Sequence, residues 1–312
     1  MTLKKVYFEL TRACNLACTH CLNDSGDRLK DELSPEQILA LVRDLADFGA
    51  QEIRFTGGEP TISPVLTRAI QTATGLGVRT SIGSNAVAIG REKARELADA
   101  GLVAAVVSID GDKESHDAIR GRDSYRRTWR GIRALIGANI RVRVNAVAMR
   151  RTTPGLASLA EECQRLGVKL NVRRFIPSGR VAGQVQELLS VQEYKALWES
   201  LHAYVERGVV DGHYRTDAPG HCSAGTTGLV ILPNGSVQSC GFLSDLGEPS
   251  YGNVALEGIR TVWARTRSSS YLMNARGTLH AMNEGRPDLP HSNCLAIAVG
   301  SEDALVQLRR KS

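Results

Sequence analysis

No apolar run in the 312 residues is long enough to cross a bilayer, and the N-terminus, MTLKKVYFEL, lacks the extended apolar segment of a secretory signal. A cytoplasmic protein with no membrane partner is the expectation. There is no internal repeat and no low-complexity tract, which argues against a solenoid or a linker-rich chain. The net charge of +6 gathers at residues 120–122, 126–133 and 309–311, yet no RNA- or DNA-binding motif accompanies it. Such a surface also suits an anionic cofactor or an acidic peptide. Without a motif it reads as a solvated surface, and nucleic acid is not an expected partner. The cysteines do not make an even set. There are seven: Cys14, Cys18 and Cys21 on one loop, Cys222, Cys240 and Cys294 late, and Cys163 alone. In a reducing compartment that distribution reads as metal ligation rather than disulfides, with Cys163 as a core residue.

What is present is the rhythm of an α/β protein. Strand candidates are VYFEL (6–10), EIRFTG (52–57), RTSIGS (79–84), VAAVVSID (103–110), RVRVNAVAM (141–149) and KLNVRRFIP (169–177). Amphipathic helix candidates lie between and after them, at 34–49, 64–77, 91–101, 124–139, 154–167 and 191–208, each closing near a Gly or Asn. The first opens with Ser34 as N-cap and Pro35 in the first turn. Six strand–helix units argue for a parallel sheet with right-handed crossovers, either doubly wound or a partial barrel. In both, the functional site sits at the C-terminal ends of the strands. After about residue 207 the rhythm changes. GLVILPNGSVQSC reads as a hairpin, a helix follows near LEGIRTVWARTR, and polar loops run on to Cys294. Two domains are expected, 1–207 and 208–312.

The loop after the first strand, ACNLACTHC, spaces its thiols C-x3-C-x2-C. Structural zinc asks for four ligands, usually as two pairs. Here there are three, and His20 lies between the last two, where it points away from them. Three thiolates suit an iron–sulfur cube better, with a fourth iron left open to bind something else.

With those cysteines, TGGEP (56–60), SIGSN (81–85), SIDG (108–111) and HDAIRG (116–121) fall in order on the expected strand ends. The pattern over about residues 5–180 resembles the radical S-adenosylmethionine (radical SAM) superfamily. The resemblance implies a partial (β/α)6 TIM-like barrel with a small C-terminal hairpin and helix domain. It implies a [4Fe-4S] cluster on Cys14, Cys18 and Cys21 whose open iron is chelated by S-adenosylmethionine. Gly57 and Gly58 would let backbone carbonyls approach the ammonium group of S-adenosylmethionine, and Glu59 would add negative charge there. Asn85, Ser108 and an arginine between residues 120 and 133 would contact its ribose and carboxylate. His20 would take the place of an aromatic residue beside the adenine. One electron, from a reductase, flavodoxin or ferredoxin, would release a 5′-deoxyadenosyl radical that abstracts hydrogen from an unactivated C–H.

Cys222 and Cys240 flank the expected hairpin, and Trp263 follows in the next helix. That order resembles the auxiliary-cluster domains called SPASM and twitch, here in the shorter, single-cluster form. A second [4Fe-4S] cluster is then expected on Cys222, Cys240 and Cys294. Its fourth ligand is either His291 or the substrate.

The Cys–hairpin–Cys order resembles twitch-type enzymes of aminoglycoside and cyclitol biosynthesis. This favours dehydrogenation or epimerisation of a small polar natural product. The alternatives are epimerisation or crosslinking of a ribosomal peptide, sulfur insertion from the auxiliary cluster, and a non-catalytic iron–sulfur electron carrier. Against a peptide stands the entry into the first strand by residue 6, which leaves no N-terminal winged-helix recognition domain. Glu9, Asn145 and Arg173 lie on strands whose alternate side chains face the lumen and are candidate substrate contacts. Tyr214 or Tyr251 are candidate hydrogen donors.

Overall fold

The computed structural model describes residues 3–212, 222–284 and 294–296. Six parallel strands form as expected: β1 (Lys5–Glu9), β2 (Glu52–Thr56), β3 (Arg79–Ser84), β4 (Ala104–Ser108), β5 (Arg141–Ala148) and β6 (Lys169–Arg174). The helices are α1 (Pro35–Asp47), α2 (Leu66–Gly75), α3 (Arg91–Asp99), α4 (Lys113–Arg120), α5 (Ser124–Gly137), α6 (Leu156–Arg165) and α7 (Val191–Glu206). Starts are chemically marked. Ser34 and Gln37 form a reciprocal capping box on α1, Ser190 and Glu193 do the same on α7, and Asp112 caps α4.

The sheet extends past six strands. Its order is β7-β6-β5-β4-β3-β2-β1-β8-β9, where β7 is Val210–Gly212, β8 is Gly228–Ile231 and β9 is Val237–Gln238. The expected hairpin is present as the antiparallel pair β8–β9. Unexpectedly, β8 also runs parallel to β1, with Lys5 opposite Gly228 and Phe8 opposite Ile231. The first strand is therefore flanked on both sides. Beyond the hairpin come α8 (Val254–Glu257), α9 (Ile259–Arg267) and α10 (Ser270–Glu284). The last of these corrects the expectation of polar loops there. Its sequence, SYLMNARGTLHAMNE, carries a mid-helix glycine and many polar residues, and it docks chiefly by buried Leu272 and Ala275.

Alternation along each strand sorts the side chains. Val6, Phe8, Ile53, Phe55, Ile82, Ala105, Val107, Val144, Ala146, Leu170 and Val172 are buried in one core with Leu39, Val42, Leu45, Ile70, Leu97, Ile132 and Leu159 of the helices. Cys163 of α6 belongs to that core, and burial pushes its thiol up to about 12. The opposite, concave face carries Tyr7, Arg54, Ser108, Arg143, Asn145 and Arg173. Among the described residues no helix is long and apolar enough to cross a membrane.

Candidate functional site

The Cys14–Cys18–Cys21 loop leaves the C-terminal end of β1 and folds over the turn that follows β2. Gly58 N–H donates to the Thr11 carbonyl (2.7 Å) and Glu59 N–H to the Ala13 carbonyl (2.9 Å). Both glycines are required sterically. A Cβ on Gly57, at φ +126°, would sit 2.4 Å from Thr11 O, and one on Gly58 would sit 2.1 Å from Ala13 O. Within the described structure the two glycines seat the cysteine loop.

Glu59 links this turn to the end of the next strand. Its fully buried carboxylate accepts from Thr61 N (3.1 Å), Thr61 Oγ1 (2.6 Å), Ser84 Oγ (2.7 Å) and Asn85 N (2.7 Å). Burial raises its pKa against those four donors. Through these bonds the carboxylate joins the ends of β2 and β3. Asn85 is buried, with Nδ2 donating to Asn15 Oδ1 (2.8 Å) and lying 4.0 Å from Cys14 Sγ.

At the end of β4 an ion-pair cluster meets the same loop. Asp110 is fully buried and accepts from Arg120 Nε (2.7 Å) and from the Val147 N–H (3.0 Å). His20 Nε2 lies 2.8 Å away and Arg120 Nη1 3.9 Å from Cys18 Sγ. The charges of Arg120 and His20, with these hydrogen bonds, hold the carboxyl of Asp110 well below the usual range despite burial. Of the arginines from 120 to 133, Arg120 is the one tucked into the site, and Arg122, Arg126, Arg127, Arg130 and Arg133 are exposed. Arg120 is among the arginines expected to contact the carboxylate of S-adenosylmethionine, whereas Asp110, inside SIDG, has no role assigned from sequence. The signal available was a carboxylate closing an apolar strand, with an arginine ten residues on.

His116 lies behind this cluster, fully enclosed, with Nδ1 accepting from the Asp110 N–H (3.2 Å). Burial first, and then the nearby Arg120 charge, push its pKa from 6.5 down to about 4. The unfolded chain thus takes up this proton first, so stability falls as pH drops from 6.5 toward 4 and levels off below. Denaturant titrations should show a loss of about 2–3 kcal/mol across that window. His116→Gln should flatten it.

On the concave face, Ser108 stands opposite Asn145, and Asn145 opposite Asn171, in adjacent strands. The amides of Asn145 and Asn171 meet at 3.0 Å. Turned to satisfy both ends, Asn171 accepts from Arg173 Nε (2.8 Å) and Nη2 (3.0 Å). Ser108, Asn145 and Arg173 therefore belong to one neighbourhood. Glu9 lies apart, by the cysteine loop. It is nearly fully buried, accepts from Asn23 Nδ2 (2.9 Å) and pairs with Arg12 at 3.3 Å. Burial raises its pKa. Arg173 also lies within electrostatic reach of Tyr7, Arg54, Arg143 and Cys294, and burial with two like charges lowers its pKa.

Cys222 and Cys294 come together with Cys240 beside the hairpin, both within electrostatic reach of its thiol. Burial, with the two partner thiols adding, pushes Cys240 up to about 12. His291 and Tyr214 lie outside the described residues. Tyr251 is buried and bonded to Ser269 Oγ at 3.1 Å, and burial pushes its phenol up to about 12.

The three N-terminal thiols fit a metal cluster. None of the seven cysteines, all within described segments, forms a disulfide. Burial pushes Cys14 up to about 11, with Cys18 and Cys21 adding repulsion. A cationic cluster would relieve that repulsion. Each sulfur already faces a donor: Asn85 at Cys14, Arg120 at Cys18 and the Ser25 N–H (3.3 Å) at Cys21. His20 Nδ1 and Ser25 Oγ are buried around the loop without a protein partner.

Residues 8–162 match the family model of the radical SAM superfamily. The mycofactocin maturase MftC of Mycobacterium ulcerans is 33% identical over 248 residues, 75% of this chain and 67% of that protein. The chain belongs to the radical SAM superfamily. It is a radical SAM enzyme, and S-adenosylmethionine and a [4Fe-4S] cluster are that family's cofactors. The AdoMet-dependent heme synthase of Nitratidesulfovibrio vulgaris is 29% identical over 296 residues, 85% of this chain and 80% of that protein. Among solved structures, SuiB of Streptococcus suis bound to its precursor peptide SuiA superposes with a TM-score of 0.69 at 17% identity. That match covers 86% of this chain and 67% of SuiB. In the S-adenosylmethionine complex of SuiB this chain spans 65% of that protein. At such identity the likeness shows the fold, the partial barrel of radical SAM enzymes.

Proposed function

We propose that this radical SAM enzyme matures a peptide, abstracting hydrogen from an unactivated C–H held over the C-terminal ends of β1–β6. Carrying this reading is the loop itself: three unbridged thiols, each facing a nitrogen donor, packed by two glycines onto the end of β2. The reduced cluster and S-adenosylmethionine, when bound, supply the carbon-centred radical. Cys14, Cys18 and Cys21 hold the cluster. His20, Asn85, Ser108 and Arg120 line the space beside it for S-adenosylmethionine, and the backbone of Gly57–Glu59 keeps the loop in place. Residues 208–312 form an auxiliary segment in which Cys222, Cys240 and Cys294 hold the second cluster.

The relatives lend the sugar and cyclitol expectation no support. A peptide takes its place because two of them are a maturase and an enzyme bound to a precursor peptide. The concave face also suits an acidic peptide. Arg54, Arg143 and Arg173 project there, with Glu52 beside Arg54 (3.8 Å) and Asp211 beside Arg143 (3.0 Å). A second reading, a tetrapyrrole carboxylate as substrate, is favoured by the heme synthase relative and the same arginines.

The test is anaerobic reconstitution with iron and sulfide, then dithionite and S-adenosylmethionine. 5′-Deoxyadenosine should form, and its absence under several reductants would return the chain to an electron carrier. Peptides encoded beside the gene should then raise its yield and change in mass. A porphyrin that does so instead selects the second reading.

A further inference from the structure

The segment after β6 bonds to the loop of the first cysteine cluster and to Asp245, which follows Cys240 of the second. The backbone N–H and all three guanidinium nitrogens of Arg180 donate to that loop. Its N–H donates to the Cys21 carbonyl (2.9 Å), Nη1 to the Cys18 carbonyl (2.6 Å), Nη2 to the Ser25 carbonyl (2.7 Å) and Nε to Asp24 Oδ1 (2.7 Å). Gly179 is pressed against the same loop. At φ +65°, a Cβ there would lie 2.0 Å from the Leu22 carbonyl oxygen. On its other side the segment holds Asp245, whose Oδ2 accepts from Gly179 N (2.6 Å) and Ser178 Oγ (2.8 Å). Asp245 sits on the turn that follows Cys240, a turn closed by the Leu243 N–H to the Cys240 carbonyl (3.1 Å). Leu22, next to Cys21, lies over Gly241, next to Cys240, at 3.6 Å from where a Cβ would be.

We propose that Ser178, Gly179 and Arg180 form a strap that couples the two cysteine sites, with Arg180 and Asp245 as its positioning residues. This rests on the cluster assignments above. Filling the auxiliary site fixes the turn after Cys240, and with it Asp245. Asp245 then fixes Gly179 and Arg180, and Arg180 fixes the carbonyls of Cys18 and Cys21. Coupling of this kind is reciprocal: what steadies one site steadies the other. It acts through hydrogen bonds to a charged group on each side, the stronger class of such bonds.

The experiment uses the full chain, reconstituted and reduced anaerobically. The EPR signal that changes on adding S-adenosylmethionine reports the first cluster, and half-saturation of that change reports its affinity. Arg180→Ala should weaken that affinity about tenfold, and Arg180→Lys, which keeps the charge but not the fork, should rescue little. Asp245→Ala, which touches no cysteine of the first loop, should weaken it about threefold, and Asp245→Asn, which keeps an acceptor, should restore it. In a Cys222→Ala background Asp245→Ala should add nothing, because the auxiliary side is already slack. Parent-like affinity in Asp245→Ala, or an undiminished Asp245 effect without Cys222, overturns the coupling. If Arg180→Ala does not fold, the Asp245 series decides alone. A parent chain with no S-adenosylmethionine-responsive signal brings down the cluster assignment itself.

Discussion

Gly58→Ala should empty the first metal site while leaving the barrel folded. The added methyl would meet the Ala13 and Arg12 carbonyl oxygens at 2.1 and 2.6 Å, both backbone atoms. Relief requires the cysteine loop to lift from the end of β2, breaking the Gly58–Thr11 and Glu59–Ala13 hydrogen bonds. A shift of about 1 Å at reacting atoms can cost about a hundredfold in rate. We expect S-adenosylmethionine cleavage to fall by at least that factor and iron at this site to drop in parallel. Circular dichroism should be unchanged. Gly75→Ala is the control: nothing lies within 4 Å of a Cβ there. It should be neutral or slightly stabilising, since alanine outranks glycine inside a helix. Full iron loading in Gly58→Ala would show that the loop does not depend on this seat.

Asp110→Ala carries the largest expected loss of stability. The carboxylate is fully buried between Arg120 and His20. Removing it strands a guanidinium whose exposed side-chain fraction is 11%. Breaking one member of a buried pair typically costs about 3–5 kcal/mol. For a chain of this size that lowers Tm by about 5–8 °C. Adding Arg120→Met to Asp110→Ala removes the orphaned charge and should recover much of the loss. It should not recover S-adenosylmethionine cleavage, because Arg120 also faces Cys18. Calorimetry on the single and double variants, with 5′-deoxyadenosine yield beside it, separates the two effects. A double variant no more stable than the single would mean that Asp110 acts mainly through His20 or the Val147 N–H.

Much of this could be read before any fold was known, for physical reasons. The six strands alternate cleanly from Val6–Phe8 to Leu170–Val172, and their helices stop at glycine or asparagine, so local pattern and tertiary structure agree. The three N-terminal cysteines and the strand-end motifs were legible because each is compact in sequence. The roles of Gly58 and Glu59 were not. Gly58 meets backbone carbonyls, and Glu59 meets backbone N–H groups and the Thr61 and Ser84 hydroxyls, a set that no fixed spacing in the sequence announces. Arg180 lies far along the chain from the carbonyls it holds, and nothing in SGRV marks it as a clamp for residues 18–25. α10 was missed because its apolar face, Leu272, Ala275 and Leu279, is short, and the exposed Gly277 lowers its helix propensity. The expectations for His291 and Tyr214 fall outside the described residues.

The pairing of β8 beside β1 has a consequence for synthesis. Lys5 pairs with Glu52 of β2 but meets its second partner strand only at Gly228, so a nascent chain displays one flank of its first strand until most of the protein has left the ribosome. Contacts this distant in sequence close slowly, and an open strand flank invites pairing with other chains. Chaperone demand during expression, and inclusion bodies from truncations ending before residue 228, are the cost of seating the cysteine loop on a strand that the late hairpin completes.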